Sequence, residues 1–212
     1  MNVMTKIGDR SVASALALGL TGSASLRTPC GGRRAENIRK GDLIVTRDNG
    51  LQAVRLVWTR TVTEAEIAAA PALAPIRLKP RSIGPMMPQR DLLVAPDHKV
   101  LVPGYRLADL PDTDSYLIPA RDVAEASDEA FYDRALGDVT YYNIVFDAHQ
   151  VFCANGLPVE SYLPTEQAIG ALDPEVRADV EATLKRKAED LAPLAVQKYV
   201  LPEAEHYRPE FV

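Results

Sequence analysis

The residues of this chain that can do acid–base or nucleophilic chemistry fall into three blocks. The first, 28–45, opens Thr28-Pro29-Cys30-Gly31-Gly32 and runs on to Gly41-Asp42-Leu43-Ile44-Val45. The second, 92–102, carries Asp97-His98 between two apolar runs. The third, 143–161, carries Asp147, His149 and Cys153, then Asn155-Gly156 and Glu160-Ser161. An imidazole exchanges its proton near neutral pH, so His98 is a candidate general acid. Asp147 and His149 are two residues apart; on a strand they share one face, where the carboxylate can orient the imidazole. The plainer readings are a hydrogen-bonding histidine at a strand end and a polar strand terminus. Cys30, His98, His149 and Cys153 are all zinc-ligand types, which adds a zinc-dependent hydrolase as a further reading, but no pair has metal-finger spacing. The candidate catalytic set is His98, Asp147 and His149, with no metal and no cofactor. The chain has no Gly-x-Ser-x-Gly elbow, phosphate loop or dinucleotide fingerprint.

These side chains need a frame, and 20–165 reads as β structure. Residues 42–47 form a short run rich in β-branched residues, followed by Asp48-Asn49-Gly50, which supplies the positive φ a tight hairpin requires. Residues 51–58 read as the returning strand. Further strands are expected at 76–79, 92–94, 99–102, 116–118, 140–146 and 150–153. Short strands punctuated by Pro and Gly indicate a closed or sandwich-like all-β domain. Residues 64–74 read as a short helix and 122–133 as a loop excursion.

The pattern changes after Pro164. Asp173-Pro174-Glu175 combines an N-cap, a proline at the first helical position and an acid in the first turn. Val176, Val180, Leu184, Ala188 and Leu191 then recur at helical spacing, predicting one apolar stripe on a helix over 174–191. The stripe must cover the β domain or a second copy of the chain, so the partners expected are the protein's own flanking segments or a self-associating helix (Val176, Val180, Leu184, Leu191). Lys185, Arg186 and Lys187 complement the helix dipole. Residues 192–212, with three prolines, read as extended.

Charge and composition narrow the partners. The 212 residues carry 24 Lys+Arg against 29 Asp+Glu, a net charge of −5, which argues against nucleic acid or an anionic membrane as main partner. No apolar run reaches the roughly 18 residues of a membrane-spanning helix. Lys6 and Arg10 followed by the Ala-diluted apolar stretch 11–20 have the outline of a secretory signal, but Asp9 interrupts the positive region. The expectation is a cytoplasmic protein, with export to the periplasm or beyond as the alternative. Two cysteines are too few for a disulfide-stapled scaffold.

In order and spacing the three blocks resemble the Hint superfamily of hedgehog/intein autoprocessing domains, and most of all its bacterial branch. Ser115 to Arg121 matches that branch as well. The resemblance spans about 20–165 and implies an all-β Hint fold, a horseshoe of pseudo-symmetric strand units with its first and last strands meeting centrally, followed by a helical extension. It divides the chain into a leader or extein-like segment at 1–19, a Hint domain at 20–165 and a C-terminal extension at 166–212. It also implies protein-splicing chemistry: a Cys or Ser at the first position attacks the preceding carbonyl, and a histidine of the second block activates the scissile amide.

The sequence departs from that pattern where the chemistry begins. Anchored on Thr28-Pro29, the nucleophile position falls on Gly19, which has nothing to attack with. Cys30 lies eleven residues too late. The hydroxyl residue expected in the second block is Ala95, and Glu160-Ser161 replaces the His-Asn pair that inteins use for C-terminal cleavage. His98, Asp147 and the Asn155-Gly156 turn stand at matching positions. The resemblance thus implies a degenerate Hint domain without self-cleavage. The alternative is an autoprocessing domain in which Thr21, Ser23 or Ser25 attacks with His98 as proton donor.

Overall fold

A computed structural model describes residues 17–107, 111, 114–164, 166–170 and 172–184. The chain first forms β1 (Leu20–Thr21), β2 (Ser25–Thr28) and β3 (Gly31–Arg34), then the hairpin β4 (Leu43–Thr46) and β5 (Gly50–Ala53). β6 (Leu56–Val62) leads into helix α1 (Glu64–Ala69), β7 (Ile76–Leu78), β8 (Leu92–Val94) and β9 (Lys99–Pro103). β10 (Ser115–Pro119), α2 (Ala120–Ala126), β11 (Ala130–Tyr132) and β12 (Val139–Val145) follow. The hairpin β13 (Val151–Ala154) and β14 (Leu157–Glu160) closes the β region, and α3 (Glu166–Gly170) and α4 (Pro174–Leu184) complete the described chain.

Two antiparallel sheets hold these strands, making the protein mostly β with a helical C-terminal piece. One runs β11-β7-β8-β1-β12-β6; the other runs β10-β9-β14-β13-β2-β3, with β4 and β5 joined on through β13. Leu20, Ile76, Leu78, Leu92 and Val94 of the first sheet meet Leu26, Ile44, Val100, Phe152 and Val159 of the second in one buried core. The first and last strands, β1 and β14, are both interior, each in its own sheet.

Local sequence explains the hairpins. Asn155 (φ 50°) and Gly156 (φ 85°) form a two-residue turn with both φ positive, the geometry whose twist suits paired strands. Asn155 also staples its surroundings: its Oδ1 accepts from the Ser25 N–H at 2.8 Å and its Nδ2 donates to the Asp91 carbonyl at 2.7 Å. At α1, Thr63 and Glu66 form a reciprocal capping box.

Some expectations need correction. The return strand at 51–58 is broken at Val54-Arg55, where Arg55 donates its N–H to Val145 at 2.8 Å, so β5 and β6 serve different sheets. The stretch 122–133 is not a loop: it holds most of α2 and all of β11, which extends the first sheet beyond β7. The predicted apolar stripe is present over 174–184 and folds back on its own domain, with Val180 buried and Val176 and Leu184 half-buried against Trp58, Val145 and Tyr162. In the described part the stripe is thus covered by the chain's own domain. Ala188, Leu191, the basic triplet 185–187, the extended tail 192–212 and the signal-like residues 1–16 lie outside the described residues. Among the described residues no helix is long and apolar enough to cross a membrane.

Candidate functional site

The chain enters the first sheet along the second block. Ala95 donates its N–H to the Gly19 carbonyl at 2.9 Å and Asp97 donates to the Ala17 carbonyl at 3.3 Å. Residues 95–98 turn tightly, with the His98 N–H bonded to the Ala95 carbonyl at 3.0 Å. The start of α2 buttresses this turn: Ala120 donates to His98, Arg121 donates to Pro96, and the Arg121 guanidinium pairs with Asp97. The result is to aim His98 at the backbone of residue 19.

The Leu18–Gly19 peptide is gripped at both ends. Gly19 donates its N–H to His98 Nδ1 at 3.3 Å, and Asn143 Nδ2 donates to the Leu18 carbonyl at 3.1 Å. A donor on a carbonyl and a histidine on the amide nitrogen are two of the three things acyl transfer needs; the third is a nucleophile. Gly19 has φ +113°, a conformation open to glycine and little else. A Cβ there would stand 2.9 Å from both the Tyr142 carbonyl oxygen and Asn143 Nδ2. The backbone of β12 and the clamp itself therefore exclude a side chain at this position.

Burial sets the protonation of the site. His98 is 4% exposed, and burial pushes its pKa down to about 4, with the Lys99 and His149 charges adding to the fall and Glu160 opposing it. At neutral pH the ring is neutral. With Nδ1 accepting from Gly19, the hydrogen-bond pattern assigns the ring proton to Nε2, which is buried without a hydrogen-bond partner. Behind it, Glu160 Oε1 accepts the Lys99 N–H at 3.0 Å, and Oε2 lies 3.5 Å from Lys99 Nζ and 3.4 Å from His149 Nε2. Burial pushes the Glu160 carboxyl up, but His149, Lys99 and His98 together outweigh it and hold the group below the ordinary carboxylate range.

The sequence-predicted residues separate. His98 stands at the junction. Asp147 and His149 do not share a strand face, because β12 ends at Val145 and 147–148 form a bend. Asp147 faces solvent and takes a two-pronged bond from Arg55, Nε to Oδ1 at 2.8 Å, whereas His149 turns inward against Glu160. Cys30 is exposed and Cys153 half-buried, both unbridged, and burial raises the Cys153 thiol pKa. Among the described residues no group of three or more His, Cys, Asp and Glu could hold a metal ion, so the zinc reading of Cys30, His98, His149 and Cys153 has no site. Thr21 Oγ1 donates to the Leu93 carbonyl at 3.2 Å and lies 3.1 Å from Ser23 Oγ. Sequence reasoning missed Asn143. Its one signal is a polar amide inside the apolar run Tyr141-Tyr142-Asn143-Ile144-Val145.

Comparison with known proteins follows the same outline. A family model described as "Hint domain" matches residues 18–166. Among solved structures, the chain is similar to a bacterial intein-like domain from Clostridium thermocellum at 15% identity, covering 68% of this chain and 99% of that one with a TM-score of 0.44. It is also similar to the MchDnaB-1 intein at 14% identity, covering 66% and 98% with a TM-score of 0.41, and to the gp41-1 intein at 12% identity, covering 66% and 96% with a TM-score of 0.40. No curated protein matches significantly.

Proposed function

The chain belongs to the Hint domain family, and from that premise we propose that it is a degenerate member, a scaffold that grips the Leu18–Gly19 peptide without cleaving it. The observation that carries this reading is position 19. It offers a backbone N–H to His98, has no side chain, and stands where a Cβ would meet the Tyr142 carbonyl at 2.9 Å. Acyl transfer to a neighbouring side chain needs a nucleophile next to the scissile carbonyl and a proton for the departing amine. Neither is supplied. His98, with its pKa near 4, is neutral at pH 7, and its Nδ1 takes a hydrogen bond from the amide rather than giving one. Asn143 keeps its hold on the carbonyl, so the carbonyl is polarised with nothing poised to attack it.

The proposed organisation is a Hint unit over 20–165, preceded by a segment held at 17–19 and followed by the extension from 166. The two unbridged cysteines suit the cytoplasm, where thiols stay reduced. A second reading keeps self-cleavage, and the placing of His98 against this segment favours it: Thr21, Ser23 or Ser25 would attack the carbonyl preceding it, with His98 giving the departing amine its proton. The Thr21 bonds to Leu93 and Ser23 argue against its hydroxyl being the nucleophile.

Intact mass of the full chain, expressed in a cytosolic system and treated with dithiothreitol or hydroxylamine, decides between them. The degenerate reading expects one species at the full 23.1 kDa, unchanged in His98→Ala. Fragments cut between residues 18 and 25 that disappear in His98→Ala would overturn it.

A further inference from the structure

The residue before the gripped bond has a pocket of its own. Leu18 is half-buried and packs against the cluster Trp58, Val145, Tyr162, Ile169, Leu172 and Val180. Trp58 stands directly across from Asn143 in the β6–β12 pairing, and directly opposed residues project to the same face. The donor that holds the Leu18 carbonyl and the indole beside the Leu18 side chain are therefore cross-strand neighbours. Tyr162 closes the far side: its N–H bonds the Ile144 carbonyl at 2.9 Å, and its ring meets Trp58 edge-on at 5.2 Å. The remaining members come from the C-terminal piece, Ile169 from α3, Leu172 from the link, and Val180 from α4. The helix α4, residues 174–184, lies beyond the 18–166 that match the family model.

We infer that α3 and α4 complete a side-chain pocket for the residue preceding the Leu18–Gly19 bond, selecting an aliphatic residue there and locking the bond against His98 and Asn143. Val180 and Ile169 are then positioning residues that act through Leu18. The inference rests on reading 17–19 as the family's junction, but not on whether that junction is inert. The lock works by geometry. The side chain of Leu18 is held by apolar packing, its carbonyl by Asn143, and the next N–H by His98, so loosening the packing frees both hydrogen bonds together.

The test follows amide hydrogen exchange at Gly19 in the full chain by NMR, with Tyr116, which faces Val102 in a hydrogen-bonded β9–β10 pair, as remote control and Trp58, the protein's single tryptophan, as fluorescence reporter of the pocket. Removing two buried methyls should raise local opening, so Val180→Ala is expected to speed Gly19 exchange roughly tenfold or more, shift Trp58 emission to the red and leave Tyr116 slow. Leu18→Ala, at a half-buried site that folding tolerates, should do the same. The double variant should exchange no faster than the faster single, and Leu18→Ile should restore protection. Unchanged Gly19 exchange in either alanine variant would overturn the inference, as would a parallel rise at Tyr116 or effects that multiply in the double. Intact mass of the same samples reports separately on inertness: a cut after residue 18 would sink the proposed function while exchange still judges the lock.

Discussion

Two segments bear on the same imidazole and have opposite character. On one side, residues 17–19 present a peptide bond whose carbonyl and N–H are both engaged by side chains, while the side chain at 19 is missing. On the other side, 160–162 presents side chains in full and an unexceptional backbone. Glu160 is tied to Lys99 and lies beside His149, Ser161 Oγ accepts the Gln150 N–H at 2.9 Å, and beyond the end of β14 the Ser161 and Tyr162 N–H groups donate to the Gln150 and Ile144 carbonyls. The first segment grips a peptide bond at both ends and has no side chain at 19. The second is built of buried ionic and hydrogen-bonded structure. Gripping a bond and breaking it make different demands, since the first needs only donors and packing, whereas the second needs a nucleophile and a mobile proton.

The contrast can be broken most forcefully at Glu160. Glu160→Ala leaves Lys99 and its N–H without their buried partner, and is expected to cost on the order of 3–5 kcal/mol in urea unfolding; a loss below about 1 kcal/mol would mean that the second segment is not held by charge. The next effect is on pH. In the unfolded chain a histidine binds its proton near pH 6.5, whereas folded His98 does so only near 4. Between those values the unfolded state carries more protons, so the His98 contribution is complete above about 6.5 and declines as pH falls toward 4, by roughly 3 kcal/mol in all. The groups facing the ring are Glu160, Lys99 and His149, and His98→Gln should flatten unfolding free energy across this window. The smallest effect is expected at the first segment. Gly19→Cys restores a thiol but forces a Cβ into a positive-φ slot against β12, for a loss of about 1–3 kcal/mol. No thiol-dependent cleavage is expected from it by intact mass. Cleavage in that variant would show that the nucleophile alone separates the two segments.

Much of the frame could be read from the residues. Strands at 92–94 and 99–102, the Asn49-Gly50 and Asn155-Gly156 turns, and the Asp173-Pro174 helix start are local signals, and local signals do not depend on what folds around them. The division of 51–58 between two sheets was invisible because Val54-Arg55 carries no breaker; the break comes from Val145, ninety residues on. His98 stood out as an imidazole between two apolar runs, and Gly19 was singled out only through the resemblance to the Hint family. Asn143 was not, because only the fold brings its amide to a carbonyl 125 residues away. Asp147 and His149 misled for the converse reason. Their two-residue spacing implies a shared face only if the strand continues, and β12 stops at Val145.

The place of β1 has a consequence for how the protein folds. Leu20 pairs with Val94 on one flank and Tyr142 on the other, so this strand belongs between two that lie far along the chain from it. β1 can meet β8 as soon as residue 94 is available, but its second flank stays open until β12 arrives, so this sheet closes on a pairing of high sequence separation.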